Sequence, residues 1–176
     1  MSLRRQLTAD LDALIVAEGR QVSMSNRAKV GLGLDAWLIL VSFRTRQWLK
    51  RQRVPALGRI IRIVEMALFG VEISLDARLG TGVYIVHSHG VVIGGSTFLG
   101  DNVKLLGSNT FGNSQGTGND YPTVGDDAVI GAGVRVVGAV QIGHRAKIGA
   151  NAVVTSDIPD DAVAVGIPAR VTGRDR

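Results

Sequence analysis

A chain of 176 residues that is 45% hydrophobic and 20% charged fits one folded domain with a small addition, and this composition excludes a largely disordered protein. It contains no cysteine, which excludes a disulfide framework, a thiolate metal site and a cysteine nucleophile. The net charge of +5 comes from residues 1–70, which hold 12 Lys and Arg against 5 Asp and Glu, whereas residues 71–176 hold 8 against 10.

Three helices are predicted in this basic front. The first covers residues 5–18, where apolar residues recur on one face of a helix. The second covers residues 26–52 and ends in a run of cations, which complement the negative end of a helix dipole. Pro55 breaks it, and a third helix covers residues 56–69.

The apolar stretch inside the second helix, residues 36–43, is far shorter than the roughly 20 residues that span a bilayer. Its basic flanks beside Trp37 and Trp48 are compatible with peripheral contact with an anionic membrane. We favour the alternative, in which the helices pack within the protein and the arginines face solvent. No nucleic-acid reader motif is present, so nucleic acid is not an expected partner. Because no apolar signal core follows Met1, we expect a cytoplasmic protein, at the inner membrane face if the front binds lipid.

Aliphatic residues recur at every sixth position after the helices. This period fits neither a helix nor a simple strand, and it predicts a parallel β-helix in which three units form one triangular coil. The inward-pointing positions are Leu79, Ile85, Ile93, Leu99, Leu105, Phe111, Val124, Ile130, Val136, Ile142, Ile148 and Val154. Glycine often follows them, and we expect it to turn the corner through a positive φ. The third helix is expected to cover the open first coil. The alternative is a glycine-rich sandwich, which would need turns at irregular spacing.

The six-residue period is interrupted twice, and loops on a rigid scaffold commonly carry function. The first interruption is a two-residue slip around His87. The second is polar and rich in glycine, so we expect residues 112–123 to protrude as a loop. The alternative for this segment is disorder when no ligand is bound.

Several segments resemble the hexapeptide-repeat acyltransferases, and among them the serine acetyltransferase branch. These segments are residues 69–73, His87 with residues 90–94, and residues 130–133, 148–154 and 165–171. Within that branch the chain is most similar to bacterial polysaccharide O-acetyltransferases of the colanic acid type. The resemblance implies an all-β left-handed parallel β-helix over residues 71–171, behind the α-helical region and before a tail at residues 172–176. It also implies a homotrimer with active sites between subunits.

The resemblance further implies transfer of acetyl from acetyl-CoA, a co-substrate, to a hydroxyl group, with no metal. His87 stands where the family has its general base, and Glu72 stands where it has a carboxylate that pairs with this histidine. An alcohol is a poor nucleophile until a base takes its proton, and a histidine of near-neutral pKa suits that task. The alternative for His87 is a structural residue at a corner of the coil.

The donor site follows from the same resemblance. Gly112, Ala132 and Ala150 match positions where small side chains let the pantetheine arm run close to the backbone. Lys147 and Arg170 lie toward the end of the prism, where they would meet the phosphates of CoA. The alternative is that both are solvated surface cations.

Departures from the serine acetyltransferase pattern guide the prediction of the acceptor. Val86 replaces an aspartate, Ser74 replaces a histidine, and Asp120 with Tyr121 replaces an Arg-His pair. In that branch the arginine and an aspartate hold the carboxylate and amine of serine, and Asp120 would repel the carboxylate. We therefore predict a sugar or polysaccharide precursor as the acceptor, bound by Ser74, His89, Asp120 and Tyr121. The alternative is serine, as in cysteine biosynthesis.

Two hypotheses belong to other functional classes. A zinc enzyme of the β-helical carbonic anhydrase kind would use three histidines, but His87, His89 and His144 are separated by 2 and 55 residues, which does not match that family. A trimeric binding scaffold with a decayed active site is motivated by the lost Arg-His pair. The presence of both His87 and Glu72 argues against the scaffold.

Overall fold

The computed structural model describes residues 2–33, 35–114 and 120–174. Four helices come first: α1 (Leu3–Ala17), α2 (Met24–Gly33), α3 (Asp35–Arg51) and α4 (Pro55–Phe69). The first and last agree with the predicted helices to within two residues. Helices α2 and α3 lie on either side of residue 34, which is outside the described part of the chain, and both fall in or next to the range 26–52 that was predicted as one helix.

Local signals explain where the helices begin and end. The Ser23 hydroxyl accepts a hydrogen bond from the Asn26 N–H at 3.2 Å, so Ser23 caps α2. Gly19, at φ 70°, follows α1, and Gly70, at φ 61°, ends α4. The turn at Gly70 delivers the chain directly into the first strand.

Short strands make up the rest of the described chain. They are β1 (Glu72–Ile73), β2 (Arg78–Leu79), β3 (Tyr84–Ile85), β4 (Val92–Ile93), β5 (Phe98–Leu99), β6 (Lys104–Leu105), β7 (Thr110–Gly112), β8 (Thr123–Val124), β9 (Val129–Ile130), β10 (Arg135–Val137), β11 (Gln141–Ile142), β12 (Lys147–Ile148), β13 (Val153–Val154), β14 (Ala162–Val165) and β15 (Arg170–Arg174).

The strands form three sheets that make the three sides of a prism. Sheet 1 has the order β1-β4-β7-β10-β13, sheet 2 the order β2-β5-β8-β11, and sheet 3 the order β3-β6-β9-β12-β14-β15. Every pairing is parallel except that of β14 with β15. The prediction of a parallel β-helix behind N-terminal helices is confirmed. Strand β15 continues to Arg174, into the segment predicted as a tail over residues 172–176.

The register between coils locates both interruptions of the repeat. Val92 pairs with Thr110, eighteen residues further on, which is three repeats of six. Glu72 pairs with Val92, twenty residues on, so the turn around His87 adds two residues. Thr110 pairs with Arg135, twenty-five residues on, because this coil also carries the loop that was predicted over residues 112–123. Of that loop, residues 115–119 lie outside the described part of the chain.

The core is the stack of inward-pointing side chains from successive coils. All twelve aliphatic and aromatic positions predicted from the six-residue period are buried. Each side chain packs on those of the coils above and below, so every coil buries the next, and the hydrophobic effect favours the regular stack.

The glycines beside these core positions do not turn the corners as expected. Gly80, Gly100 and Gly125 all have φ outside the left-handed region. A methyl group on Gly80 would lie 2.5 Å from the Gly100 carbonyl oxygen, and one on Gly125 would lie 2.6 Å from the His144 nitrogen. These positions require glycine because consecutive coils approach too closely there for a side chain. The positive φ falls two residues later, for example at Asn102, where asparagine tolerates it.

Replacing Gly125 by alanine should therefore destabilise the protein by about 1–3 kcal/mol, because its methyl group would meet backbone that cannot move aside. Urea denaturation at fixed protein concentration measures this change. Gly173→Ala is the matched control, since its added methyl group would meet nothing within 4 Å. Equal stabilities of the two variants would contradict this account of the glycines.

Helix α3 covers the open end of the first coil. The helix predicted to do so, over residues 56–69, corresponds to α4. Four backbone carbonyls of that coil accept hydrogen bonds from α3: Ile73 from Arg46, Ala77 from Gln47, and Leu79 and Gly80 from Arg44. Arg44 also pairs with Asp10 of α1 at 3.0 Å. Both arginines are buried, which corrects the expectation that the arginines of this helix face solvent.

Helix α4 turns its apolar side away from the prism. The side chains of Leu57, Ile60, Ile63, Val64, Met66 and Leu68 are between 46% and 63% exposed. Gly58 and Glu65, on the opposite side, are buried. No helix in the described part of the chain is long and apolar enough to cross a membrane.

Candidate active site

His87 stands at the corner between sheets 3 and 1, where the two extra residues of the first interruption lie. We call this the His87 corner. The side chain is exposed, beside a turn in which the Val91 N–H donates to the Ser88 carbonyl at 3.3 Å. An exposed imidazole on a rigid corner can take a proton from a bound hydroxyl group.

Small residues continue from His87 along this corner from coil to coil. Gly107 lies directly against it, since a methyl group there would be 2.9 Å from the His87 Cβ. The Gly133 N–H donates to the Gly107 carbonyl at 2.9 Å and the Asn151 N–H to the Ala132 carbonyl at 2.8 Å, which places Gly107, Ala132 and Ala150 in one column. No side chain larger than a methyl group projects from these three positions of the column. Gly107 was not predicted, because it lies outside the phase of the six-residue repeat.

His89 lies at the same corner but is oriented toward the first coil. A methyl group on Gly70 would meet the His89 ring at 3.3 Å, so the imidazole rests against the end of α4. The His89 carbonyl accepts hydrogen bonds from the Ser108 N–H and hydroxyl, both at 3.2 Å.

Glu72 does not pair with His87 within one chain. Its carboxylate accepts a hydrogen bond from the Arg62 guanidinium of α4 at 2.7 Å, and the two side chains are each about half exposed. No pattern in the sequence indicates this partner, because Arg62 reaches Glu72 only through the position of α4 against sheet 1.

The other predicted acceptor residues gather at the next corner, between sheets 1 and 2, which we call the Ser74 corner. The Ser74 N–H donates to the Ile93 carbonyl and the Gly94 N–H to the Phe111 carbonyl, both at 2.9 Å, so Ser74, Gly94 and Gly112 stack. The Tyr121 ring packs against Gly94 and its neighbour Gly95. Gly112 therefore lies away from Ala132 and Ala150, the other small residues predicted to bind the donor.

The remaining predicted residues lie at the surface. Asp120 is exposed and follows residues 115–119, which lie outside the described part of the chain. Lys147, on β12, and Arg170, on β15, are exposed on sheet 3 toward the C-terminal end of the prism. The Arg170 guanidinium donates to the Ala169 carbonyl at 3.0 Å.

A pocket of about 620 Å³ opens between α4 and sheet 1. Glu72 and Ser74 lie in its wall, and Pro55, Leu75 and Val92 contribute apolar surface. Four cations also line it: Arg46, Lys50, Arg59 and Arg62. The cations of α4 were not predicted as site residues, although their spacing of three places them on one face of the helix.

Burial shifts the pKa values of one ion pair beside this pocket. Arg46 and Glu65 approach to 2.7 Å, with side chains only 1% and 2% exposed. Burial raises the pKa of Glu65, and the charge of Arg46 opposes this rise. Burial likewise lowers the pKa of Arg46.

His144 is remote from both corners of the candidate site. Its Nδ1 atom accepts a hydrogen bond from the Asp126 N–H at 3.0 Å on the far side of the prism. Among the described residues, no group of three or more His, Cys, Asp or Glu side chains is arranged to hold a metal ion.

Comparison with known proteins identifies the family. The profile of the bacterial transferase hexapeptide family (six repeats) matches residues 121–156. The serine acetyltransferase of Synechococcus elongatus is 39% identical over 168 residues, covering 95% of this chain and 68% of that protein. The structure of soybean serine acetyltransferase complexed with serine is 34% identical, with a TM-score of 0.86, covering 97% of this chain and 70% of that one. Brucella abortus serine acetyltransferase in complex with coenzyme A is 28% identical, with a TM-score of 0.86, covering 98% and 68%.

These relatives correct one prediction and confirm another. The similarity to polysaccharide O-acetyltransferases, and with it the sugar acceptor, is wrong, because the matched proteins are serine acetyltransferases. The prediction of an acetyltransferase with hexapeptide repeats is confirmed. The chain belongs to the serine acetyltransferase family of hexapeptide-repeat transferases.

Proposed function

We propose that this protein transfers the acetyl group of acetyl-CoA to the hydroxyl group of L-serine. The observation that carries the proposal is the 39% identity to a serine acetyltransferase over 95% of the chain. The prediction of acetyl-CoA as co-substrate is confirmed by relatives that include one solved with coenzyme A. A neighbour of the same fold binds serine, which supports serine as the acceptor.

His87 is the proposed general base. As the serine Oγ attacks the thioester carbonyl carbon, the imidazole takes the hydroxyl proton, and a tetrahedral oxyanion forms. The oxyanion then collapses, the C–S bond breaks, and the imidazolium returns the proton to the CoA sulfur. The products are O-acetylserine and CoA, and His87 is again neutral.

The column of small residues at the His87 corner is the proposed path of the pantetheine arm. Gly107, Ala132 and Ala150 run from His87 toward the C-terminal end of the prism, so an extended chain lying on them would deliver its thioester to the imidazole. Lys147 and Arg170 lie toward the same end and are the proposed partners of the CoA phosphates. Gly112, at the Ser74 corner, would contact the donor only across an interface between subunits.

A left-handed β-helix assembled as a trimer is the proposed quaternary form. In one chain the His87 and Ser74 corners are separated by the width of sheet 1; from Gly90 to Gly94 this is roughly 13 Å of extended chain. A site that uses both corners, including the proposed pairing of Glu72 with His87, is therefore completed by a second subunit. The outward apolar side of α4 supports an oligomer, because monomeric proteins rarely leave such a patch in water. Contact of the basic front with a membrane stays a prediction.

A CoA-release assay tests the proposed function. L-serine with acetyl-CoA should release CoA in proportion to O-acetylserine, with a KM for serine in the usual range of about 1 μM to 1 mM. A panel of sugars and sugar nucleotides serves as the control and should give no release above hydrolysis. Release with a sugar and none with serine would overturn the proposal.

A further inference from the structure

The pocket between α4 and sheet 1 carries more positive charge than its own carboxylate neutralises. Three of its four cations have partners: Arg46 with Glu65, Lys50 with Asp76 at 2.8 Å, and Arg62 with Glu72 at 2.7 Å. Arg59 is the fourth, and no carboxylate of the described residues lies within ion-pair distance of it. The pocket thus presents one uncompensated guanidinium to whatever enters it.

The position of Arg59 adds to this charge. It lies one turn before Arg62 on the same face of α4, so it reaches into the pocket on the side of Glu72. Pro55 and Gly58, from the first turn of α4, line the same pocket, and the positive end of the helix dipole reinforces the field there. The pocket therefore offers the guanidinium of Arg59 from α4 and the carboxylate of Glu72 from β1.

We propose that Arg59 binds the carboxylate of the acceptor. This inference rests on the proposed function and names the residue that makes the site specific for an acceptor that carries a carboxylate. A guanidinium binds a carboxylate through two parallel hydrogen bonds, which fixes the orientation of the amino acid as well as its charge. Asp120, at the nearby loop, has the wrong charge for this task, so the cation comes from the helical region.

Kinetics of Arg59→Gln test the assignment. The KM for L-serine should rise about tenfold or more, because a charge-assisted pair is lost, while the KM for acetyl-CoA stays within twofold. Arg59→Lys should recover part of the affinity, since it restores the charge but not the paired geometry. Arg20→Gln, an exposed arginine outside the pocket, is the matched control and should behave as the wild type.

Serinol, in which a hydroxymethyl group replaces the carboxylate, separates binding from structural damage. Its KM should be the same in the wild type and in Arg59→Gln, so the preference for serine over serinol collapses in the variant. An unchanged KM for serine, or an equal rise for serine and serinol, would overturn the role of Arg59 alone. Absence of serine turnover by the wild type would instead overturn the proposed function, and this inference with it.

Discussion

Replacing His87 by alanine should lower kcat for acetyl transfer at least about a hundredfold, the lower end of what a positioned general base contributes. The imidazole is exposed at a rigid corner and sits at the head of the column formed by Gly107, Ala132 and Ala150. His89, the other imidazole at this corner, lies against the end of α4, so the attacking hydroxyl group would lose the base at the head of the column. The fold should survive, because the side chain is exposed and adds nothing to the core.

The measurement is steady-state CoA release at saturating acetyl-CoA and L-serine, with the melting temperature recorded for each variant. His144→Ala is the matched control, because it removes an exposed imidazole on the far side of the prism and should keep kcat within twofold. A wild-type kcat in His87→Ala would remove His87 from the chemistry. A parallel loss in His144→Ala would show that the effect is one of folding.

The prism could be predicted from the sequence because its rule is local. One inward residue in every six fixes which side chains are buried, and all of these positions proved to be buried. The reason for the neighbouring glycines could not be predicted, since a short approach such as that of Gly125 to His144 exists only between coils.

The burial of arginines over the first coil could not be predicted from a helical pattern. The sequences of α3 and α4 are both amphipathic and contain arginines, and arginines usually lie in solvent. The structure instead buries Arg44 and Arg46 against free backbone carbonyls of the coil, which supply acceptors that a sequence does not reveal. Helix α4 directs Glu65 toward Arg46 of α3 and Arg62 toward Glu72 of sheet 1, and its apolar side outward, the opposite of the usual arrangement.

The residues proposed at the corners were indicated by the sequence, and those contributed by the helices were not. The role of His87 was predicted from the family resemblance, and the structure places this residue at a corner, where the repeat slips, beside a column of small residues. Arg59 and Arg62 were missed because they reach the site from a separate element. The sugar acceptor was inferred from the loss of an arginine near Asp120, without knowledge that a second source of positive charge faces Glu72.

The buried pair of Arg46 and Glu65 provides the largest expected change in stability. Arg46→Met should destabilise the protein by about 3–5 kcal/mol, because it leaves the Glu65 carboxylate buried without an opposite charge. The pair itself is poorly satisfied: Arg46 Nε and Nη2 and both Glu65 oxygens lack an aligned hydrogen bond despite the 2.7 Å approach. The double variant Arg46→Met with Glu65→Leu should therefore be as stable as the wild type or more stable.

The loss of stability in Arg46→Met should depend on pH, in a direction set by the raised pKa of Glu65. Burial raises the pKa of Glu65, and in Arg46→Met the charge that opposes this rise is absent. The folded variant then keeps a proton that the unfolded chain releases, so its stability is highest below the ordinary glutamate pKa of 4.5 and falls as the pH rises through the raised value. Arg46→Met should thus lie further below the wild type at pH 8 than at pH 5, whereas the double variant should show no such difference.

Urea denaturation at fixed protein concentration measures both effects, since subunit association would otherwise change the apparent stability. Lys50→Met is the matched control on the same helix: its pair with Asp76 is mostly exposed, so its loss should cost less than about 1 kcal/mol. A double variant as unstable as Arg46→Met would mean that the hydrogen bond from Arg46 to the Ile73 carbonyl, and not the charge pair, holds α3 on the first coil. Recovery in the double variant would instead assign the cost to the isolated carboxylate of α4.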